Sequence, residues 1–503
     1  MHAPENSLIL QAFEWHMPAD RRYWRRLEHA LPGLKAIGFD RLWIPPGCKG
    51  MDPLGNGYDI YDLYDLGEFD QKGATATKWG TKQELEALMR EAQHLGVAVY
   101  WDAVLNHKAG ADHVERFTAV PVDPKQRTAE ISKPIQVDGW VGFDFHGRNN
   151  AYSAMKYHWH HFSGIDWDDM RKKGGIYKIL GPNKDWASDV STENGNYDYL
   201  MFADLDLSHP EVRQDLLHWG TWITTALSLG GMRLDAAKHF SSGFQRAFVE
   251  HVRATANPDF FVMAEYWTGD IRALLGYLEQ MDETVAAYDV PLLGNFSRAS
   301  YRKGAAADLR GILQNTLVQQ KPNHAVTFVA NHDTQPGQML ETPVEPSFKL
   351  LAYALILLRK EGHPCVFYGD LYGTRPNSQH HRTTPPACNG KLPILIQARK
   401  LYAYGEQQDY FDHPNCIGFV RYGNSSHACG LVCLLSNAGP AQKQMYVGSR
   451  HANTEWVDLL QATTVPTTIT IDRHGYGVFP IGAMTAGVWV PLAGQGQESF
   501  QAL

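Results

Sequence analysis

The 503 residues hold only six cysteines, Cys48, Cys365, Cys388, Cys416, Cys429 and Cys433, with no C-x-x-C spacing among them. Cysteine-based zinc and dithiol motifs are thereby excluded, and free thiols are expected, as in a reducing compartment. Missing as well is any excess of positive charge: 46 Lys and Arg face 54 Asp and Glu, a formal net charge of −8. Without a basic stripe, nucleic acid and anionic membranes are excluded as expected partners, and a neutral substrate suits the chain better. No apolar run is long enough for a membrane span, and no internal repeat or low-complexity tract occurs. Met1 to Asn6 show neither a basic n-region nor an apolar h-region, so the expected location is cytoplasmic, or secreted if the chain is a processed mature form.

What is present reads as a folded globular chain, 44% hydrophobic and 20% charged. Aromatic residues make up 12%, with 14 Trp and 23 Tyr, which is compatible with surfaces that stack flat apolar faces. Short apolar runs alternate with helical periodicity. Strands are expected at 8–15, 40–46, 97–104, 231–235, 260–265, 285–290, 325–330 and 365–368. Helices are expected at 23–37, 83–94, 212–229, 244–255, 271–280, 309–319 and 348–360. Buried strands alternating with amphipathic helices imply an α/β fold with parallel strands, and eight such units close into a (β/α)8 TIM barrel.

Two stretches break that rhythm. Residues 106–209 are far longer than an ordinary βα loop, so they form an inserted domain after strand 3, on the side where barrels carry their chemistry. Beyond about residue 400, short strands at 416–422, 427–436, 445–448 and 485–490 lie between Gly, Asn and Pro turns and imply a C-terminal antiparallel β-sandwich. The expected domains are 1–105 with 210–400 for the barrel, 106–209 for the insert and 401–503 for the sandwich.

The segment around which the rest is organised is GGMRLDAAKHF at 230–240. Side chains alternate along a strand, so Arg233 and Asp235 share a face, and the guanidinium would keep the carboxylate ionised. A carboxylate so held is a candidate nucleophile, although a structural ion pair fits the same residues. Barrel chemistry sits at the C-terminal ends of strands, where this chain also places Asp102, Asn106 and His107, then Lys238 and His239, then Glu265, and finally His332 and Asp333. Glu265 follows an apolar run that favours its protonated form. Two carboxyls with separated pKa values are what glycosidic cleavage requires. Two other readings of the acids remain open: metal ligands of an enolase-like barrel, although Arg233 and Lys238 would crowd a cation, and a sugar-binding scaffold without catalysis.

Four blocks carry a family likeness: DAVLNH at 102–107, GMRLDAAKH at 231–239, VMAEYW at 262–267 and FVANHD at 328–333. In this order they resemble the α-amylase superfamily, glycoside hydrolase family 13. QAFEW at 11–15, WIPP at 43–46, YDLYDLGEF at 61–69, ENGNYDYL at 193–200 and VFYGD at 366–370 are similar to the liquefying bacterial-type α-amylases. The resemblance implies retaining, endo-acting hydrolysis of α-1,4-glucosidic bonds in starch- or glycogen-type glucans by a monomer. A maltooligosaccharide-forming amylase or a transglycosylase on the same site is the alternative.

Residue by residue, the resemblance implies Asp235 as nucleophile, Glu265 as general acid and then base, and Asp333 as third carboxylate. His107 and His332 would hydrogen-bond the sugar, Arg233 would orient Asp235, and Tyr58 would stack beneath the ring. Lys238 and His239 would reach the next sugar on the reducing side. It also implies one calcium ion held by Asn106, Asp198, Asp204 and the His239 carbonyl. A second calcium and sodium cluster is expected to be absent, because Ser163, Ala187 and Ser208 stand where that pattern has acids and only Asp206 remains.

Overall fold

The computed structural model describes residues 6–302, 307–376, 383–463 and 468–493. Eight parallel strands close a barrel: β1 Ile9–Gln11, β2 Arg41–Ile44, β3 Ala98–Ala103, β4 Gly231–Leu234, β5 Phe261–Ala264, β6 Ala286–Tyr288, β7 Ala325–Phe328 and β8 His363–Phe367. All eight coincide with expected strands. Their side chains are almost wholly buried, as parallel strands covered by helices must be. Glycine is required at the start of β4, since a Cβ on Gly231 would stand 2.3 Å from the Phe261 carbonyl oxygen of the next strand.

Helices Tyr23–Ile37, Lys82–His94, Pro210–Leu227, Ser242–Thr255, Ile271–Gln280 and Pro346–Leu358 lie at or within three residues of their expected bounds. Local chemistry fixes several ends. Thr81 and Glu84 form a reciprocal capping box, and Pro210 and Pro346 open their helices, where the missing N–H costs nothing. One expectation fails. The stretch 309–319 is not one helix but a 3-10 turn at Leu309–Gly311 and a short helix at Leu317–Gln320, with Asn315 left-handed between them. The helix that follows β6 is instead Val290–Tyr301, started by Asp289, which accepts from the Leu292 amide.

Between β3 and helix Pro210–Leu227 lies an antiparallel sheet. It runs in the order His107–Lys108, Ala203–Leu205, Phe162–Asp168, Lys173–Ile179, His113–Asp123 and Gln126–Glu130, with Ile135–Gly142 also paired to His113–Asp123. Buried polar contacts anchor it to the barrel: Arg148 to Asp62 at 2.8 Å, and the Tyr157 hydroxyl to Asp215 at 2.7 Å. At the C-terminus, six strands from Gln407–His413 to Thr485–Pro491 face the pair Ala441–Tyr446 and Tyr476–Ile481. Met445, Trp456, Phe479 and Trp489 fill the space between the two sheets. No helix of the described residues is long and apolar enough to cross a membrane.

Candidate active site

Parallel register assembles the site. Arg233 pairs across the sheet with Asp102 on β3, and Leu234 pairs with Ala264 on β5. Asp235 and Glu265, each one residue past that last pair, therefore stand level on neighbouring strands. Adjacent strands lie about 4.7–4.9 Å apart, so the register itself sets two carboxyls at that order of separation.

Arg233 is fully buried and touches three of the acids. Its Nη1 donates to Asp102 Oδ1 at 2.7 Å and to Asp235 Oδ1 at 2.5 Å, while Nη2 lies 2.6 Å from Glu265 Oε2. The last contact is off the N–H direction, so it acts through charge rather than as an aligned hydrogen bond. Glu265 Oε2 also accepts from the Ala236 amide at 2.9 Å. Ala236 adopts a left-handed backbone with φ 51°, an unusual state for a residue with a Cβ, and that turn aims its N–H at the acid.

One guanidinium cannot offset Asp102, Asp235, Glu265 and Asp333 together. Burial pushes the Asp235 carboxyl up to about 6, against the pull of Arg233, so it is ionised at neutral pH. Glu265 is likewise raised by burial, which Arg233 opposes and the Asp235 charge reinforces. Asp333 rises by burial and by repulsion from Glu265. Of the two, Asp235 takes the aligned guanidinium hydrogen bond, whereas Glu265 meets the guanidinium off the N–H direction and feels the Asp235 charge, so Glu265 is the one placed to hold a proton.

The neighbouring side chains form one connected network. The Gln11 amide donates to His332 Nδ1 at 2.8 Å, which leaves the Nε2 proton for the Tyr58 hydroxyl, 2.8 Å away, or Asp333, 3.2 Å away. Tyr58 in turn donates to Asp102 Oδ2 at 2.9 Å, as does the Trp43 indole at 3.0 Å. Trp15, Tyr58 and His332 are near-parallel, with ring centroids 5.3–5.9 Å apart. His107 gives its Nε2 proton to the Tyr58 carbonyl at 2.8 Å, and its buried Nδ1 has no partner. Burial holds His107 near 4, so the ring is neutral.

The structure thus brings together Tyr58, His107, Arg233, Asp235, Glu265, His332 and Asp333. Lys238 and His239 stand apart from that network. The Lys238 ammonium is bound to Glu193 at 2.9 Å and to the Trp267 carbonyl at 3.0 Å, and His239 Nδ1 lies 3.0 Å from the Tyr197 carbonyl. Sequence reading gave no role to four participants: Asp102, Gln11, Trp15 and the Ala236 amide. Asp102 was visible as a strand-end acid, but its role as second anchor of Arg233 depends on cross-strand register.

The family model for the α-amylase catalytic domain matches residues 24–393. The chain belongs to the α-amylase family of glycoside hydrolases. It is 45% identical to an α-amylase of Bacillus licheniformis, covering 96% of this chain and 93% of the relative. Identity to a glucan 1,4-α-maltohexaosidase of Bacillus sp. (strain 707) is 43%, over 97% and 93%. A cytoplasmic α-amylase of Escherichia coli (strain K12) is 38% identical, over 96% and 99%. Among solved structures, an α-amylase from Geobacillus thermoleovorans complexed with acarbose shares the fold, with TM-score 0.64 and 19% identity over 97% of this chain and 98% of that one.

Proposed function

We propose that this chain cleaves internal α-1,4 bonds of starch- or glycogen-type glucans with retention, through a glycosyl ester on Asp235. The observation that carries this reading is the pair Asp235 and Glu265, level on adjacent strands and sharing one guanidinium. Strand spacing of about 5 Å belongs to the retaining class, whereas inverting pairs stand about 6.5–9.5 Å apart to admit a water. In the first step the Asp235 carboxylate attacks the anomeric carbon while Glu265 gives its proton to the departing glycosidic oxygen. In the second, Glu265, now a carboxylate, takes a proton from water, which displaces Asp235 and releases the sugar. Asp333 and His332 grip sugar hydroxyls more tightly as the ring distorts, and the free Nδ1 of His107 offers one more hydrogen bond.

NMR of the first product formed from a maltooligosaccharide tests this: the α anomer is expected, and an initial β anomer would contradict it. Size analysis of the same digest separates ordinary endo cleavage from a maltohexaose preference. The latter is favoured by a cavity of about 330 Å³ lined by Lys108, Phe202, Trp140 and Trp167, the two indoles 47% and 39% exposed. Discrete six-sugar products would select it.

A calcium ion between barrel and insert belongs to the same reading. Asp198 and Asp204 are buried, and burial together with their mutual repulsion raises Asp204 far above the ordinary carboxylate range. Asn106 Nδ2 donates to Asp204 at 3.2 Å, yet its buried Oδ1 has no partner. Two crowded carboxylates and an orphaned amide oxygen are a hard-oxygen set that suits calcium. With the His239 carbonyl they would hold the ion four residues past Asp235, where its charge would fix the insert against β4. For the further cluster the residues do not fit: the Lys184 ammonium already sits 2.7 Å from Asp206, and Ser208 donates to the same carboxylate. An internal cation thus takes the place that metal charge would occupy. The domain limits 1–105 with 210–400, 106–209 and 401–503 belong to this proposal too, since Asn106 and His239 lie on either side of such a boundary.

A further inference from the structure

A second group of ligand-bearing side chains lies away from the cleft. His160 and His161 end the 3-10 turn Trp159–His161 in the insert; His209 precedes, and Glu211 opens, the helix Pro210–Leu227. One ligand atom from each of the four lies within 4.8 Å of the others. The imidazoles crowd one another, with ring centroids 4.1 Å apart for His160 and His161 and 4.7 Å for His161 and His209. His209 holds the N-cap position of its helix, where Ser, Thr, Asp or Asn would supply a capping oxygen. His209 makes no side-chain cap, and its buried Nδ1 has no hydrogen-bond partner.

Proton bookkeeping separates the roles. His161 Nδ1 accepts from the His158 amide at 2.9 Å, so its proton is on Nε2 and is donated to Glu211 Oε2, also 2.9 Å away. A nitrogen that donates in this way orients a carboxylate rather than binding an ion. His160 and His209 keep a lone pair for a ligand, and the orphaned Nδ1 of His209 lies in the cluster.

We propose that His160, His209 and Glu211 bind one divalent transition ion of the Zn2+ class, with His161 as the positioning residue that holds Glu211. Two imidazoles and a carboxylate are a borderline donor set that selects zinc-like ions, unlike the all-oxygen set of Asn106, Asp198 and Asp204. A histidine donating to a ligating carboxylate is the usual outer-layer support. Ligands at about 2.0–2.1 Å from a tetrahedral ion stand roughly 3.4 Å from one another. The present spacing closes to that by small side-chain rotations, which the partly exposed His160 and the exposed Glu211 can make. The ion would clip the insert to the first turn of a barrel helix. A water in the fourth position would complete the shell.

The test uses the full chain with calcium kept saturating and transition metals stripped. Titration calorimetry with ZnCl2 should show one ion bound at micromolar Kd or tighter, and Co2+ should give the intense visible bands of tetrahedral coordination. Both signals should be lost in His160→Ala and in His209→Ala. His161→Ala should weaken Zn2+ by about 10–100-fold. The nearby group His113, Glu115 and His158 serves as control, so His113→Ala should leave both signals intact. Zn2+ at one hundred times its Kd should raise the folded-to-unfolded ratio about a hundredfold. The proposal is overturned if the wild-type chain binds no Zn2+ in this range, or if His160→Ala and His209→Ala bind it as tightly as wild type. His160 is partly exposed, so at least that variant tests the site with the fold intact.

Discussion

Asp235→Asn and Glu265→Gln should each remove nearly all turnover while the chain stays folded. Asn keeps the shape of Asp235 but has no charge with which to attack, so no covalent step remains, and the loss should exceed roughly 10⁴-fold. Gln cannot hand over a proton, and positioned acid–base catalysis is worth roughly 10²–10⁴-fold. Rates on maltooligosaccharides, with circular dichroism as control, check both; activity within tenfold of wild type would contradict the roles.

Stability should move in the opposite direction for Asp235→Asn. The folded carboxyl titrates near 6, above its ordinary 3.8, so the fold favours the neutral form. The stability Asp235 contributes is therefore full below about pH 4 and is lost as pH rises through 6. Asn carries no such burden. Its melting temperature should exceed that of wild type at pH 7–8 and the gain should shrink toward pH 4. A variant less stable than wild type at pH 8 would show that the Arg233 pairing outweighs burial.

Calcium removal should have the second large effect. Without the ion, burial and mutual repulsion drive Asp198 and Asp204 to take up protons, so the acids no longer tie insert and barrel together through charge. An ion present at 1,000 times its Kd contributes about 4 kcal/mol by mass action. Excess chelator should therefore lower the melting temperature by several degrees and release the insert from the strand that carries Asp235, with loss of activity. Adding back CaCl2 should restore both. Metal analysis after mild dialysis should give about one calcium per chain. Full activity and an unchanged melting temperature in chelator would dismiss the site.

The eight barrel strands and most helices were legible because each is locally self-consistent: apolar runs for strands buried on both faces, 3.6-residue periodicity for helices. Helix Val290–Tyr301 was not, since its Pro, Gly, Asn and Ser lower helix propensity and leave the local Asp289 cap on the Leu292 amide as a weak signal; the further bonds of Asp289 to the distant Leu317 and Val318 amides show in no local pattern. The strands of the insert were hidden for another reason. His113–Asp123 mixes polar and apolar residues without clean alternation, because its partners on both sides, not its own pattern, fix it. Within the site, Asp235, Glu265 and Asp333 could be read from strand ends. That Arg233 spans three carboxyls could not, because it depends on the register of β3, β4 and β5.

The most direct test of the covalent account is to trap the ester. In Glu265→Gln, an activated maltooligosyl fluoride needs no proton for its leaving group, so it can load Asp235 but meets no base to release it. Mass spectrometry of the digested protein should then find one sugar adduct on the peptide that carries residues 231–239, at Asp235. An adduct on another residue, or none under conditions where the fluoride is consumed, would contradict it.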